Sequence, residues 1–158
     1  MEDNLQLLLD EREIINVVNS IGINADLRNW QAVSQAFSDE VQLDYASMGA
    51  AVEMLKPTDI IKKWQAILPG FQMTQHMITN HRVSITGNEA NCFSYVHAVH
   101  YLPNKSNNNT WIVMGHYEHH LVRLNQAWKI DRMKLIATLI DGNMDLPRLA
   151  MEAIKAVG

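Results

Sequence analysis

Asp26 follows Ile15, Val18 and Gly22 at spacings of eleven, eight and four residues, which places a carboxylate at the end of an apolar helical stripe. A buried carboxylate needs a partner. The alternative at this position is an acid that caps a helix starting at Asn29 or Trp30. His76, in the stretch MTQHMITNH (73–81), shares strand parity with Thr74, Ile78 and Asn80, whereas Val83 and Ile85 have the opposite parity. Either a bulge occurs near Thr79-Asn80 or the inward face switches along the strand. His100 shares a face with Cys92, Ser94, Val96 and Ala98. These residues are small, and small residues leave room for a cavity. A histidine with one ring nitrogen held by an acid can use the other as a general base, so the chemistry to expect is proton transfer.

The stretch GHYEHH (115–120) puts His116, Glu118 and His120 on one strand face and Tyr117 and His119 on the other. Two histidines and a carboxylate suit a transition metal. At ~3.3 Å per residue, however, the three span roughly 13 Å, too far for one ion on a straight strand. A polar face lining a pocket or an oligomer interface is the better reading, with His116 and Glu118 as substrate-binding candidates and no metal. Cys92 sits among Phe93, Ser94, Tyr95 and Val96, the setting of a buried, inert thiol.

These side chains must be positioned by a segregated set of elements. DEREIINVVNSIGINAD reads as an amphipathic helix opening at Asp10 with Glu13 at capping-box spacing, and NWQAVSQAF as a second helix capped by Asn29. EVQLDYAS alternates as a strand, and PTDIIKKWQAILPG forms a third helix capped by Thr58 and ended by Pro69-Gly70. From Gln72 on, four long β-rich runs are divided by Gly87-Asn88, PNKSNNN and Asn125-Gln126, and a short helix follows Asp145. Helices first and strands afterwards imply an α+β fold over residues 1–158 as one domain. Its three N-terminal helices pack on a curved, mostly antiparallel sheet.

Composition narrows the function classes. The chain is 47% apolar with a formal net charge of −4 and no basic run, so nothing in it suits a nucleic-acid backbone or an anionic membrane. Neither a signal peptide nor a membrane span is legible, and a cytoplasmic protein is expected. On the face opposite His100, Phe93, Tyr95, Val99 and Tyr101 form too much aromatic surface for a soluble monomer, so a homodimer through the sheet's outer face is expected.

The order of ADLRNW, LDYAS, TQHMI and the strand with His100 resembles the SnoaL-like branch of the nuclear-transport-factor-like superfamily, most nearly the scytalone dehydratases, with dehydrochlorinases and polyketide cyclases as relatives. The resemblance implies a cone of curved sheet closed by helices, with the pocket inside. It implies that Asp26 and His76 are pocket residues, that Tyr45 matches a pocket tyrosine and that His100 matches a second histidine. Ala25 stands where the dehydratases carry a second tyrosine, and Ile21 stands near the position of a lysine in the dehydrochlorinases.

Residues and resemblance together point to an Asp26–His76 general base acting on a C–H beside a carbonyl or leaving group. Tyr45 would donate to a developing enolate, and His100 would protonate a departing hydroxyl. Trp30, Met48, Trp64 and Met73 would supply bulky walls for a small cyclic or polyketide-like substrate, with no metal or organic cofactor. The other function the same fold serves is a non-catalytic binding or assembly module, such as the small subunit of a ring-hydroxylating dioxygenase.

Overall fold

The computed structural model describes residues 2–157. Helix α1 (Glu2–Asp26) leads into α2 (Trp30–Gln35), strand β1 (Phe37–Asp44), strand β2 (Val52–Leu55) and helix α3 (Pro57–Gln65). Four long strands follow, β3 (Met73–Thr86), β4 (Glu89–Tyr101), β5 (Thr110–Leu124) and β6 (Ala127–Gly142), and α4 (Leu146–Val157) ends the described chain. The six strands form one sheet in the order β2-β1-β6-β5-β4-β3, antiparallel throughout except where β1 runs parallel to β6. This is the expected α+β fold, a curved, mostly antiparallel sheet with helices on its concave face.

The concave face is the core. Ile14, Val18, Ile21 and Ala25 form the buried stripe of α1, and they meet Cys92, Val96 and Ala98 of β4, Val113 and Leu121 of β5, and Ile130 and Met133 of β6. Curvature comes from interruptions of the ladder. The register of β5 against β6 shifts between Met114 and Gly115 and again between His120 and Leu121. The register of β3 against β4 shifts between Thr79 and Arg82, where Asn80 adopts a φ of 58°. That bulge reconciles the two parities of β3: Thr74, His76 and Ile78 face inward before it, and His81, Val83 and Ile85 after it.

Several boundaries differ from the sequence reading. The first helix starts at Glu2, not Asp10. Asp10 is a buried residue whose two oxygens accept from Arg123 Nη1 and Nη2 (2.9 and 2.5 Å), so a tertiary ion pair takes the place of a capping box. The third helix is entered through Lys56 with Pro57 in its first turn and has no side-chain cap, so Thr58 does not serve as one. Strand β2 was not legible: four residues pairing only at the sheet edge carry too short a pattern. Asn29 does cap α2, its side chain accepting the Ala32 N–H at 3.3 Å.

Candidate active site

The last turn of α1 lies against β3 because Gly22 presents no side chain there. A Cβ at that position would stand 3.1 Å from His76 Cβ and 3.0 Å from an Ile78 methyl. One turn later, Asp26 reaches the same strand. Its Oδ1 lies 2.7 Å from His76 Nδ1 and accepts from Thr74 Oγ1 at 2.8 Å, while Oδ2 accepts the backbone N–H of His76 at 2.7 Å. Burial by itself would raise the Asp26 pKa. The hydrogen bonds and charge of His76, with Thr74, outweigh it and hold the carboxyl below its usual range. An ionised Asp26 is an acceptor only, so His76 Nδ1 must carry a proton. In the neutral ring Nε2 then holds the lone pair, and it has no hydrogen-bond partner among the described residues.

His76 lines a cavity of about 270 Å³ on the concave side of the sheet, together with Gly22, Tyr45, Met48, Trp64, His100, Trp111 and Tyr117. His100 is buried, and its Nδ1 donates to the Trp111 carbonyl at 3.2 Å. Its ring stands nearly perpendicular to that of His76, centroids 5.4 Å apart. Burial, with the neighbouring His76 second, pushes the His100 pKa down to about 4. His100 is therefore neutral at pH 7, with Nε2 unprotonated. That is the wrong state for the acid role the sequence suggested, and the right one for accepting a hydrogen bond from a ligand hydroxyl. Burial first, and the adjacent Tyr117 phenol second, raise Tyr45 well above its ordinary value. Tyr117 is pushed up to about 12 by burial, with Tyr45 pulling the other way. Both phenols thus remain O–H donors at neutral pH.

The structure brings Asp26, His76, His100, Tyr45, Met48 and Trp64 to one cavity or its wall, and removes the other candidates. Trp30 packs against the core from α2 without lining the cavity. Met73 is exposed on the opposite parity of β3 from Thr74 and His76. His116 and Glu118 are on the convex face of β5, where His116 packs on Phe93 (centroids 4.9 Å) and Glu118 lies 3.9 Å from Lys134. Among the described residues, no group of three or more His, Cys, Asp or Glu is arranged to hold a metal ion.

Sequence reading missed Tyr117, Trp111, Thr74 and Arg28. A signal for Tyr117 existed: the odd-numbered residues of β5 include Val113, Tyr117 and Leu121, all buried, whereas the even-numbered ones include Met114 and Glu118, both exposed. The inward face of GHYEHH is that of Tyr117 and His119.

The SnoaL-like domain family matches residues 6–134. The chain belongs to that family. Its structure superposes on the Kfla4162 protein of Kribbella flavida with a TM-score of 0.83, at 26% identity over 91% of this chain and 98% of that one. It is similar also to a protein of Novosphingobium aromaticivorans provisionally named a scytalone dehydratase (TM-score 0.77, 22% identity, 89% and 91% of the two chains). A hexachlorocyclohexane dehydrochlorinase, LinA-type3 of Novosphingobium barchaimii, superposes with a TM-score of 0.76 at 15% identity over 89% and 94% of the two chains. No curated protein matches the sequence. In this SnoaL-like chain, as in its sequence, Ala25 precedes Asp26; the second phenol of the cavity comes instead from Tyr117 on β5.

Proposed function

We propose that this SnoaL-like protein is a lyase or isomerase that abstracts a proton from carbon with His76 Nε2 as general base. The observation that carries the reading is the Asp26–His76 contact of 2.7 Å at the wall of a mostly apolar cavity. The carboxylate fixes the tautomer and stabilises the imidazolium formed when the base takes its proton. The phenols of Tyr45 and Tyr117 donate to the oxygen on which negative charge develops as the C–H bond breaks. In a dehydration, the C–H electrons form the new double bond and the C–O bond breaks. His76 then returns its proton to the departing oxygen, so that water leaves and the dyad is restored. His100 orients the substrate by accepting a hydroxyl proton at Nε2. No separate acid is required.

The cavity also selects its substrate. Asp26 is ionised and fully engaged, and Lys63, the only Lys or Arg among the described residues that lines the cavity, is paired with Glu53 at 2.7 Å. A carboxylate or phosphate on the reacting part of a substrate would be buried beside Asp26 without compensation. A volume of about 270 Å³ compares with the ~150 Å³ cavity that holds benzene, and so accommodates a fused-ring molecule. The substrate class is accordingly a neutral cyclic ketone or hydroxyketone, or an organic halide of similar size.

A nitrobenzisoxazole tests the base directly. This neutral fused-ring probe loses a carbon-bound proton as its N–O bond breaks, releasing a coloured cyanophenolate. The wild-type protein is expected to accelerate this elimination, saturably and above the rate of free imidazole, and Asp26→Asn to lose most of the acceleration. A wild-type rate equal to that of imidazole would overturn the reading.

We propose also that a second copy covers the convex face. Met77, His97, Met114 and Leu139 lie opposite one another across four strands, with Tyr95 beside them. Tyr95 and Leu139 are 53% and 52% exposed. An exposed, largely apolar sheet face meets an identical face about a two-fold axis without needing any other partner chemistry. Light scattering should give twice the chain mass, and Met114→Glu should halve it; a wild-type monomer at micromolar concentration would refute the dimer.

A further inference from the structure

The end of α1 carries a backbone feature that the helix by itself does not require. Arg28 has a φ of 58°, in the left-handed region. It closes the helix with the pattern in which Asn29 N–H donates to Asn24 O (2.8 Å) and Arg28 N–H to Ala25 O (3.1 Å). Glycine is the usual residue at this position, because any Cβ there is strained. An arginine held in that conformation points to a use for its side chain. The guanidinium folds back under the helix end. Nη1 donates to Ala25 O (2.6 Å) and Thr74 Oγ1 (2.9 Å), and Nη2 donates to Leu68 O (2.6 Å).

The contact with Thr74 has a directional consequence. A guanidinium has no acceptor, so Thr74 Oγ1 must accept from it. The single hydroxyl proton of the buried Thr74 is then free for Asp26 Oδ1, 2.8 Å away. That oxygen is the one facing His76 Nδ1. Resting on the general-base reading, we infer that Arg28 and Thr74 are positioning residues. Arg28 fixes the sense of the Thr74 hydroxyl, Thr74 fixes the rotamer of Asp26, and Asp26 fixes His76 as the Nδ1–H tautomer. The donors converge on the carboxylate: the guanidinium donates to Thr74, and Thr74 Oγ1 and His76 Nδ1 both donate to Asp26 Oδ1. An amide or hydroxyl in place of the guanidinium could accept the Thr74 proton and divert it from Asp26, since both groups can accept as well as donate.

The bland role for Arg28 is to stabilise a helix terminus, since a cation there favours the carbonyl end of α1. The experiment therefore reads the imidazole itself. Nitrogen NMR of the histidine side chains reports the His76 tautomer with no substrate present. The expected result is the Nδ1–H form in the wild type and a mixture of tautomers in both Thr74→Val and Arg28→Met. With the nitrobenzisoxazole probe, kcat should fall about 10- to 100-fold in Thr74→Val, the value of one hydrogen bond to a charged group, while KM stays near its wild-type value. Thr74→Ser, which restores the hydroxyl, should recover most of the lost kcat. Unaltered tautomer and kcat in both Thr74→Val and Arg28→Met would overturn the inference while leaving the base intact. A shifted tautomer with no catalysis in the wild type would instead sink the base reading and keep the relay.

Discussion

His76 and His81 lie five residues apart on β3, both on the inward side, and their surroundings are opposite. His76 meets a carboxylate that is itself held by two further donors. His81 lies beyond the bulge, where its Nε2, the Ser94 hydroxyl and both ring nitrogens of His119 are buried without a hydrogen-bond partner among the described residues. Burial lowers the pKa of His81, and burial with His81 nearby pushes His119 down to about 3. The difference separates two reasons for a polar residue in a core. At the cavity, pairing keeps a titratable group usable. Beyond the bulge, the same residue type is held neutral at a cost in stability, about 1–3 kcal/mol for each unsatisfied group.

The comparison breaks most sharply in turnover. His76→Ala should reduce the nitrobenzisoxazole elimination by about 10²–10⁴-fold, whereas His81→Ala should leave it unchanged, because only His76 faces the cavity with its acid in place. Equal losses in the two variants would mean that the bulge does not divide function from packing. Tyr117→Phe should cost about 10²-fold in kcat and keep the fold, since it deletes one donor and fills the same space; steady-state kinetics checks it against Tyr45→Phe.

Stability sharpens the other side. His119→Phe should stabilise the protein by about 1–3 kcal/mol in denaturant unfolding, because two orphaned nitrogens are replaced by carbon of similar shape. Acid should reveal the same residue. The folded value of His119, about 3, lies below the ordinary 6.5, so the unfolded chain binds a proton that the folded chain excludes. Its contribution is complete above about pH 6.5 and is lost as pH falls toward 3, with His100, at about 4, adding to the same slope. Thermal midpoints measured across this range should fall less steeply in His119→Phe than in the wild type.

Much of this was legible in the sequence. The helical spacing that ends at Asp26 and the parity conflict between His76 and Val83 are local patterns, and local patterns are what periodicity reports. They pointed to Asp26 and His76, offered the bulge as one of two ways to reconcile the parities, and picked out the small-residue face beneath His100 before any contact was known. Other features depend on which strand neighbours which, and on which side of a strand is concave. His116 and Glu118 read as lining a pocket or an oligomer interface because a polar triplet suggests a site; curvature turns that face to the outside and Tyr117 to the cavity. Asp10 read as a cap until Arg123, 113 residues away, claimed it. Thr74 and Arg28 look unremarkable alone. Their roles arise from a hydrogen-bond direction, which no spacing encodes because it is set where two groups at the end of α1 meet one hydroxyl of β3.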